Sequence, residues 1–244
     1  MAGRIIYGVN AVREALDAGR RVNRVYLARE SRARGFQAVV DRARANGVPF
    51  DFVPQAKLNE LAETREHQGV AAAVSPVAYA NLDQVLGACP AQATLLVLDQ
   101  VQHPKNVGML IRAAAGAGAV GVVAPVRGAA LVDDTVLRAS AGTALRLPLV
   151  ACKNLRQALQ TLRKADFWLY ALEAGGGQEV FLMDWPARVA LVVGNESSGL
   201  RPGVRKLCDE AVAIPLSNGV ESLNAALAAG IALFQVAAQR RREA

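Results

Sequence analysis

Three polar segments depart from ordinary helix-and-strand composition, and each carries residue types able to hold or activate a ligand. In the first, Leu98-Asp-Gln-Val-Gln-His-Pro-Lys-Asn-Val-Gly-Met-Leu-Ile-Arg112, Pro104 and Asn106 open a helix and Arg112 projects from its second turn. A guanidinium beside a helix N-terminus suits a phosphate or an oxyanion. The same letters also describe an Asn cap and a surface arginine. In the second, Leu191-Val-Val-Gly-Asn-Glu-Ser-Ser-Gly-Leu200, Gly194 and Gly199 would let a ligand approach the backbone, and Glu196 could accept hydrogen bonds from an amine or hydroxyl. A carboxylate capping a short helix before Pro202 is the plainer alternative. In the third, Ile214-Pro-Leu-Ser-Asn-Gly-Val-Glu-Ser-Leu-Asn-Ala-Ala-Leu-Ala-Ala-Gly230, a helix opens at Ser222 with Asn224 in its first turn. Its small residues permit close helix or ligand approach, although Ser222 can equally be an ordinary cap on a core helix.

Two other chemistries are excluded by spacing or context. A nucleophile elbow needs Gly-x-Ser-x-Gly, which Gly194 to Gly199 does not supply. Gly116-Ala-Gly118-Ala-Val-Gly121 matches the dinucleotide fingerprint, but it ends a helix and opens a strand, the reverse of the required order. Those glycines read as a helix stop with tight packing.

The elements that must position these segments fall into two groups. Before residue 76, helices are expected over Asn10 to Ala18, Ala33 to Asn46 and Ala56 to Ala62, and strands over Val22 to Leu27, Val48 to Val53 and Val70 to Val74. This small α/β unit is rich in arginine, with Arg13, Arg20, Arg21, Arg24, Arg29, Arg32, Arg34, Arg42 and Arg44. A stretch holding Pro76, Gly87 and Pro90, with room for a short helix, reads as a linker over 76–92. Beyond it, strands are expected at Leu95 to Leu98, Val120 to Ala124, Phe167 to Ala171, Val189 to Val193 and Ala211 to Ile214. The clearest helices are Leu155 to Lys164 and Ser222 to Arg241, the latter with Leu223, Leu227, Ile231 and Phe234 as its buried stripe. Short apolar strands alternating with helices imply a parallel sheet covered on both faces, which binds ligands beyond the carboxyl ends of its strands. All three polar segments lie there.

The 244 residues carry a net charge of +7, with a pI near 9.8. That balance favours a polyanionic partner, though a basic solvated surface would give the same numbers. Cys89, Cys152 and Cys208 form no CxxC pair and there are only two histidines, so reduced, buried thiols are expected and no metal site. No apolar run reaches the roughly eighteen residues of a membrane helix, and the start, Met1 to Asn10, lacks a signal-peptide pattern. A cytoplasmic location is expected.

In order along the chain, Asn106…Arg112, Gly194-Asn-Glu196-Ser-Ser-Gly199 and Ile214-Pro…Ser222-Leu-Asn224 resemble the three motifs of the SpoU family of RNA 2′-O-methyltransferases, within the SPOUT superfamily. The likeness spans roughly Thr94 to Arg240. Ile6-Tyr-Gly-Val-Asn-Ala-Val-Arg-Glu-Ala-Leu16 also resembles the small ribosomal-protein-like RNA-binding domain of the bacterial 23S rRNA guanosine members. The resemblance implies a trefoil-knotted α/β methyltransferase domain at 93–244 and an RNA substrate-binding domain at 1–75. It implies S-adenosylmethionine as methyl donor, held by backbone around Gly194, Ile214 and Leu223, with no metal. It places Asn106, Arg112, Glu196, Ser222 and Asn224 at the ribose and phosphate of ribosomal RNA, in a homodimer paired through the small residues of the last helix, Ala225, Ala226, Ala228, Ala229 and Gly230. A guanidinium is effectively never deprotonated, so Arg112 is expected to clamp phosphate and stabilise developing charge. Two positions depart from the family pattern: His103 replaces an Asp before Pro104, and Ala225-Ala226 replace Val-Ser. A tRNA ribose methylase would use the same three motifs, and a non-catalytic rRNA-binding protein would leave Glu196, Ser222 and Asn224 without a purpose.

Overall fold

The computed structural model describes residues 4–17, 22–29, 34–75, 78–127 and 132–243. Arg20, Arg21, Arg32 and Pro76, and the outer ends of two expected helices at Ala18 and Ala33, lie outside them. The chain begins β1 (Arg4–Tyr7), α1 (Val9–Asp17), β2 (Val22–Ala28), α2 (Phe36–Ala45), β3 (Phe50–Val53), α3 (Gln55–Ala62) and β4 (Val70–Val74). Then come α4 (Leu82–Gly87), β5 (Ala93–Leu98), α5 (Pro104–Gly116), β6 (Gly121–Pro125) and α6 (Asp134–Ala139). The remainder is β7 (Leu149–Cys152), α7 (Leu155–Lys164), β8 (Trp168–Leu172), β9 (Gln178–Glu179), β10 (Arg188–Val193), α8 (Pro202–Arg205), β11 (Glu210–Ala213) and α9 (Ala225–Glu243).

Contacts divide this chain into two units, Met1–Ala78 with Val132–Arg146, and Tyr79–Leu131 with Leu147–Ala244. In the first, a four-stranded sheet has the order β1-β4-β2-β3. β4 runs antiparallel to both neighbours, and β2 parallel to β3. α1 buries Val9, Val12, Ala15 and Leu16 at helical spacing, the stripe that seats it on the sheet. α6 also packs in this unit, although it follows β6 in the chain. There Arg138 stacks over the Tyr7 ring, Arg146 pairs with Glu14, and Gly142 leaves no room for a side chain beside the Ala11 carbonyl. Sequence patterning did not anticipate α6; its first helical turn is capped by Asp133, which accepts from the Val136 amide at 2.8 Å.

The second unit is built on a seven-stranded sheet of order β7-β6-β5-β10-β8-β11-β9, paired in parallel throughout its described residues. Every residue of β5 is buried, which is what a strand covered on both faces requires. One face meets α7 through Leu155, Ala158, Leu159 and Leu162, together with Val85 of α4. Each large apolar side chain among these contributes about 1.5–3 kcal/mol relative to exposure. On the opposite face, α9 packs on β10 and crosses α5, with Gly230 against Ala113 and Gly116 against the Phe234 ring.

Three expectations need correction here. α9 does not bury Leu223, Leu227, Ile231 and Phe234; it buries Ala226, Ala229, Ala232, Leu233, Val236 and Ala237. The small-residue face turns inward because it lets α9 lie close to α5, which leaves Leu227 at 52% and Phe234 at 47% exposure. α9 also begins at Ala225 rather than Ser222, since Asn224 is its cap and accepts from the amides of Ala226 and Leu227 at 2.9 and 3.3 Å. Arg112, the ninth residue of α5, therefore stands in its third turn, not its second. The glycines at 116–121 do end a helix and open a strand, with Gly118 in the left-handed region.

Candidate active site

The carboxyl ends of three adjacent strands, β10, β8 and β11, form one side of a cleft of about 430 Å³, and the start of α9 forms the other. Its lining includes Gly194, Ile214 and Leu223, the three positions expected to hold a methyl donor, and also Glu196 and Ser222. A volume in this range suits a nucleoside-sized ligand. After β10 the chain must double back at once, and Gly194 makes that possible. A Cβ there would lie 2.3–2.5 Å from the backbone of Gly199 and Leu200.

Asn195 then closes the turn. Its amide donates to the Gly199 carbonyl at 3.0 Å, and the Gly199 amide returns a bond to the Asn195 carbonyl at 2.9 Å. The Asn195 side-chain oxygen accepts from the amides of Ser197 and Ser198, while its nitrogen donates to the Gln100 carbonyl at 3.0 Å. Glu196 does not cap a helix, because Asn195 takes the turn amides. The far end of the loop is fastened to the neighbouring strand. Asp99, buried at the end of β5, accepts from the Arg201 backbone amide at 2.9 Å and from its guanidinium Nε at 2.8 Å. Asp99, Asn195 and Arg201 escaped motif reading. An Asn two and three residues ahead of two serines is an Asx-turn signal, but the Asp99–Arg201 partnership spans 102 positions and leaves no local trace.

This fastening aims Glu196 at α5. The Asn106 side-chain nitrogen donates to Glu196 Oε1 at 2.5 Å, and the Asn224 nitrogen donates to Asn106 Oδ1 at 3.3 Å. Residues from three separate motifs thus form a directed chain, Asn224 to Asn106 to Glu196. Asn106 is oriented at both ends, and one carboxylate oxygen of Glu196 remains for another donor. Arg112 lies on α5 six residues beyond Asn106, about 9 Å further along the axis. It is exposed, is not part of the cleft lining, and makes no ion pair or hydrogen bond among the described residues. Such a guanidinium is free for an external anion. His103 occupies the cap of α5 without a side-chain cap bond.

The thiols are poor nucleophiles. Burial pushes Cys208 up to about 12 and raises Cys152 and Cys89, and all three are free. Among the described residues no group of three or more His, Cys, Asp or Glu could hold a metal ion, and no helix is long and apolar enough to cross a membrane. The chemistry on offer is therefore an oriented carboxylate with two amides at the rim of a cleft lined by strand ends, and a free guanidinium further along α5, outside the cleft lining.

Comparison with known proteins gives the same reading. Residues 93–234 match the model of the SpoU rRNA Methylase family, and residues 5–80 match that for RNA 2′-O ribose methyltransferase substrate binding. The chain is 36% identical over 239 residues to a 23S rRNA (guanosine-2′-O-)-methyltransferase, RlmB, of Xylella fastidiosa, covering 96% of each protein. It is 35% identical over 240 residues to an uncharacterized tRNA/rRNA methyltransferase of Synechocystis, covering 97% of this chain but 62% of that longer relative. The crystal structure of the SpoU methyltransferase AviRb from Streptomyces viridochromogenes, in complex with the cofactor AdoMet, superposes with a TM-score of 0.80 at 26% identity, covering 98% of this chain and 91% of that one. With family models matching segments of both units and relatives aligned nearly end to end, the chain belongs to the SpoU rRNA methylase family, a family of RNA methyltransferases.

Proposed function

We propose that this chain transfers a methyl group from S-adenosylmethionine to the ribose 2′-hydroxyl of a guanosine in 23S ribosomal RNA. The observation that carries the reading is the Asn224–Asn106–Glu196 chain at the rim of the cleft lined by Gly194, Ile214 and Leu223. S-adenosylmethionine, when bound, supplies an activated methyl group. The chain's own residues then have two tasks, to align the ribose and to relieve the hydroxyl of its proton. Backbone groups around Gly194, Ile214 and Leu223 would hold the donor, in a cleft whose size and mixed lining fit a nucleoside with a polar tail. Glu196, fixed by Asn106, would accept the hydrogen bond of the 2′-hydroxyl, and Ser222 would complete the ribose pocket. Arg112 would bind the flanking phosphate and stabilise charge developing on the oxygen. Holding two reactants in line can lower the barrier by about 7–11 kcal/mol.

The same proposal covers the division of labour and the assembly. Residues 1–75, which share a unit with 132–146, would bind RNA, and the second unit, whose core takes in Val85 of α4 from the expected 76–92 linker, would carry the donor site within the family's trefoil knot. In support, the segment after β11 folds back so that Ile214, Leu216 and Leu223 line one cleft with Gly194–Gly199. The outward face of α9, with Leu227 and Phe234, is the surface proposed to pair two copies, in place of the small residues, of which Ala226 and Ala229 are already buried. The proposed location is the cytoplasm. Incubating the protein with labelled S-adenosylmethionine and unmodified ribosomal RNA should yield one alkali-resistant linkage in 23S rRNA, at a guanosine. Label only in tRNA, or on a base, would overturn the reading.

A further inference from the structure

Glu173 stands at the end of β8, the strand between β10 and β11, and so between the Gly194 and Ile214 ends of the cleft. Glu173 is among the residues that line that cleft. Its backbone amide donates to the Val212 carbonyl at 3.1 Å, which fixes the residue against β11. One carboxylate oxygen, Oε2, accepts from Arg205 Nε at 2.8 Å. The side chain keeps 32% exposure despite this pairing, and no further bond to its carboxylate is found among the described residues. It lies outside all three sequence motifs.

We propose that Glu173 is a donor-specificity residue whose second carboxylate oxygen accepts hydrogen bonds from the ribose hydroxyls of the methyl donor's adenosine. This rests on the donor reading of the cleft given above. Arg205 already neutralises the carboxylate, so Glu173 has little attraction left for a second cation such as the donor's ammonium. What it retains is acceptor capacity, which suits neutral hydroxyl donors. A carboxylate at the carboxyl end of a central parallel strand is also the arrangement by which other open α/β sheets recognise a ribose.

The test uses the full-length protein, 5′-methylthioadenosine, its 2′,3′-dideoxy analogue and S-adenosylhomocysteine in titration calorimetry. Wild-type protein should bind 5′-methylthioadenosine about tenfold or more tightly than the dideoxy analogue. In Glu173→Gln that preference should shrink severalfold, and in Glu173→Ala it should vanish. Both variants should weaken for S-adenosylhomocysteine by the same factor as for 5′-methylthioadenosine, because the two share the ribose. Equal wild-type affinity for the diol and dideoxy ligands would overturn the proposal even if neither variant folds. Weakening confined to S-adenosylhomocysteine would overturn it in favour of an ammonium contact. A wild-type protein that binds none of the three would remove the donor reading itself, and the proposal with it.

Discussion

Asn224 carries two jobs that one substitution can separate. Its oxygen caps α9 and its nitrogen donates to Asn106. Asn224→Ala should lose both, costing about 1 kcal/mol of stability with the cap as well as activity. Asn224→Asp keeps the cap and suits the helix N-terminus, yet it removes the amide donor and sets a second carboxylate near Glu196. Its melting temperature should stay at the wild-type value while methyl transfer falls, a split that thermal melts and turnover assays read directly. Glu196→Ala and Arg112→Ala should each lower turnover by roughly 100-fold or more while donor affinity stays within a few-fold. Near-normal turnover in Arg112→Ala would remove it from the ribose side. His67 gives a pH-dependent counterpart outside the cleft. Its buried ring pairs Nε2 with Asn59 Oδ1 at 2.7 Å and accepts from the Gly69 amide at Nδ1, which requires the neutral form. Burial accordingly lowers its pKa below the ordinary 6.5. Below about pH 6.5 the unfolded chain takes up a proton that the folded chain refuses. Its contribution should thus be complete above that pH and fade as pH falls, a loss absent from His67→Gln in urea melts. Residue types were the most legible part of this molecule. Gly194, Glu196 and Ser222 stood out by residue type, and Leu223 through the family resemblance, and all four line one cleft, whereas the bond between Asn106 and Glu196 could not be read, because it joins positions 90 apart.

The loop from Gly194 to Arg201 is the element on which the cleft depends, and its two ends are secured differently. At one end only glycine fits; at the other Asp99 takes the backbone and guanidinium of Arg201. The pair is asymmetric, since Asp99 is fully buried while the Arg201 side chain is 43% exposed. Removing the arginine side chain leaves a buried carboxylate without its counter-charge, still bonded to the backbone amide of residue 201, whereas removing the carboxylate leaves a cation that water can reach. Arg201→Ala should therefore cost roughly 3–5 kcal/mol, and Asp99→Asn clearly less, as measured by urea denaturation. Equal costs would mean that the pair is effectively solvated. Strands and helices with a regular apolar period, such as α7 and β5, were legible to within a few residues. α9 was misread in orientation because both of its faces are apolar. Periodicity selects the larger side chains, but packing against α5 selects the smaller ones. The two-residue β9 is too short to carry any period, and β7 follows a Pro-containing turn that masks its four apolar residues.

At the scale of the whole molecule, charge and surface decide which partners the two units can engage. Leu227 and Phe234 leave an apolar strip along α9 that a second copy would cover. Leu227→Arg should then halve the mass seen by light scattering at micromolar concentration, and a monomeric wild type would overturn the pairing. The RNA-facing role proposed for the first unit can be tested more finely, because its arginines are not equivalent. Arg24 and Arg42 are tied to Asp51 and Asp17 at 2.6 and 2.7 Å, and Arg44 lies over the Phe50 ring. Arg13 and Arg34 instead line a shallow hollow with Asn10, Gly35 and Gln68, and form no ion pair among the described residues. A cation already neutralised by a carboxylate releases fewer counterions when it meets a phosphate. The net charge of +7 therefore overstates the charge available to RNA, and the free pair should matter most. Neutralising Arg13 and Arg34 together should weaken binding to a 23S rRNA fragment and flatten the plot of log affinity against log salt by about 0.7–0.9 for each phosphate no longer neutralised. Arg24→Ala should change that slope far less, since Asp51 already neutralises this guanidinium. Stability should fall little in any of them, because exposed pairs contribute at most about 1 kcal/mol. If Arg24→Ala flattened the slope as much as the Arg13 and Arg34 double variant, the RNA path would run along the β2–β3 edge rather than past the start of α1.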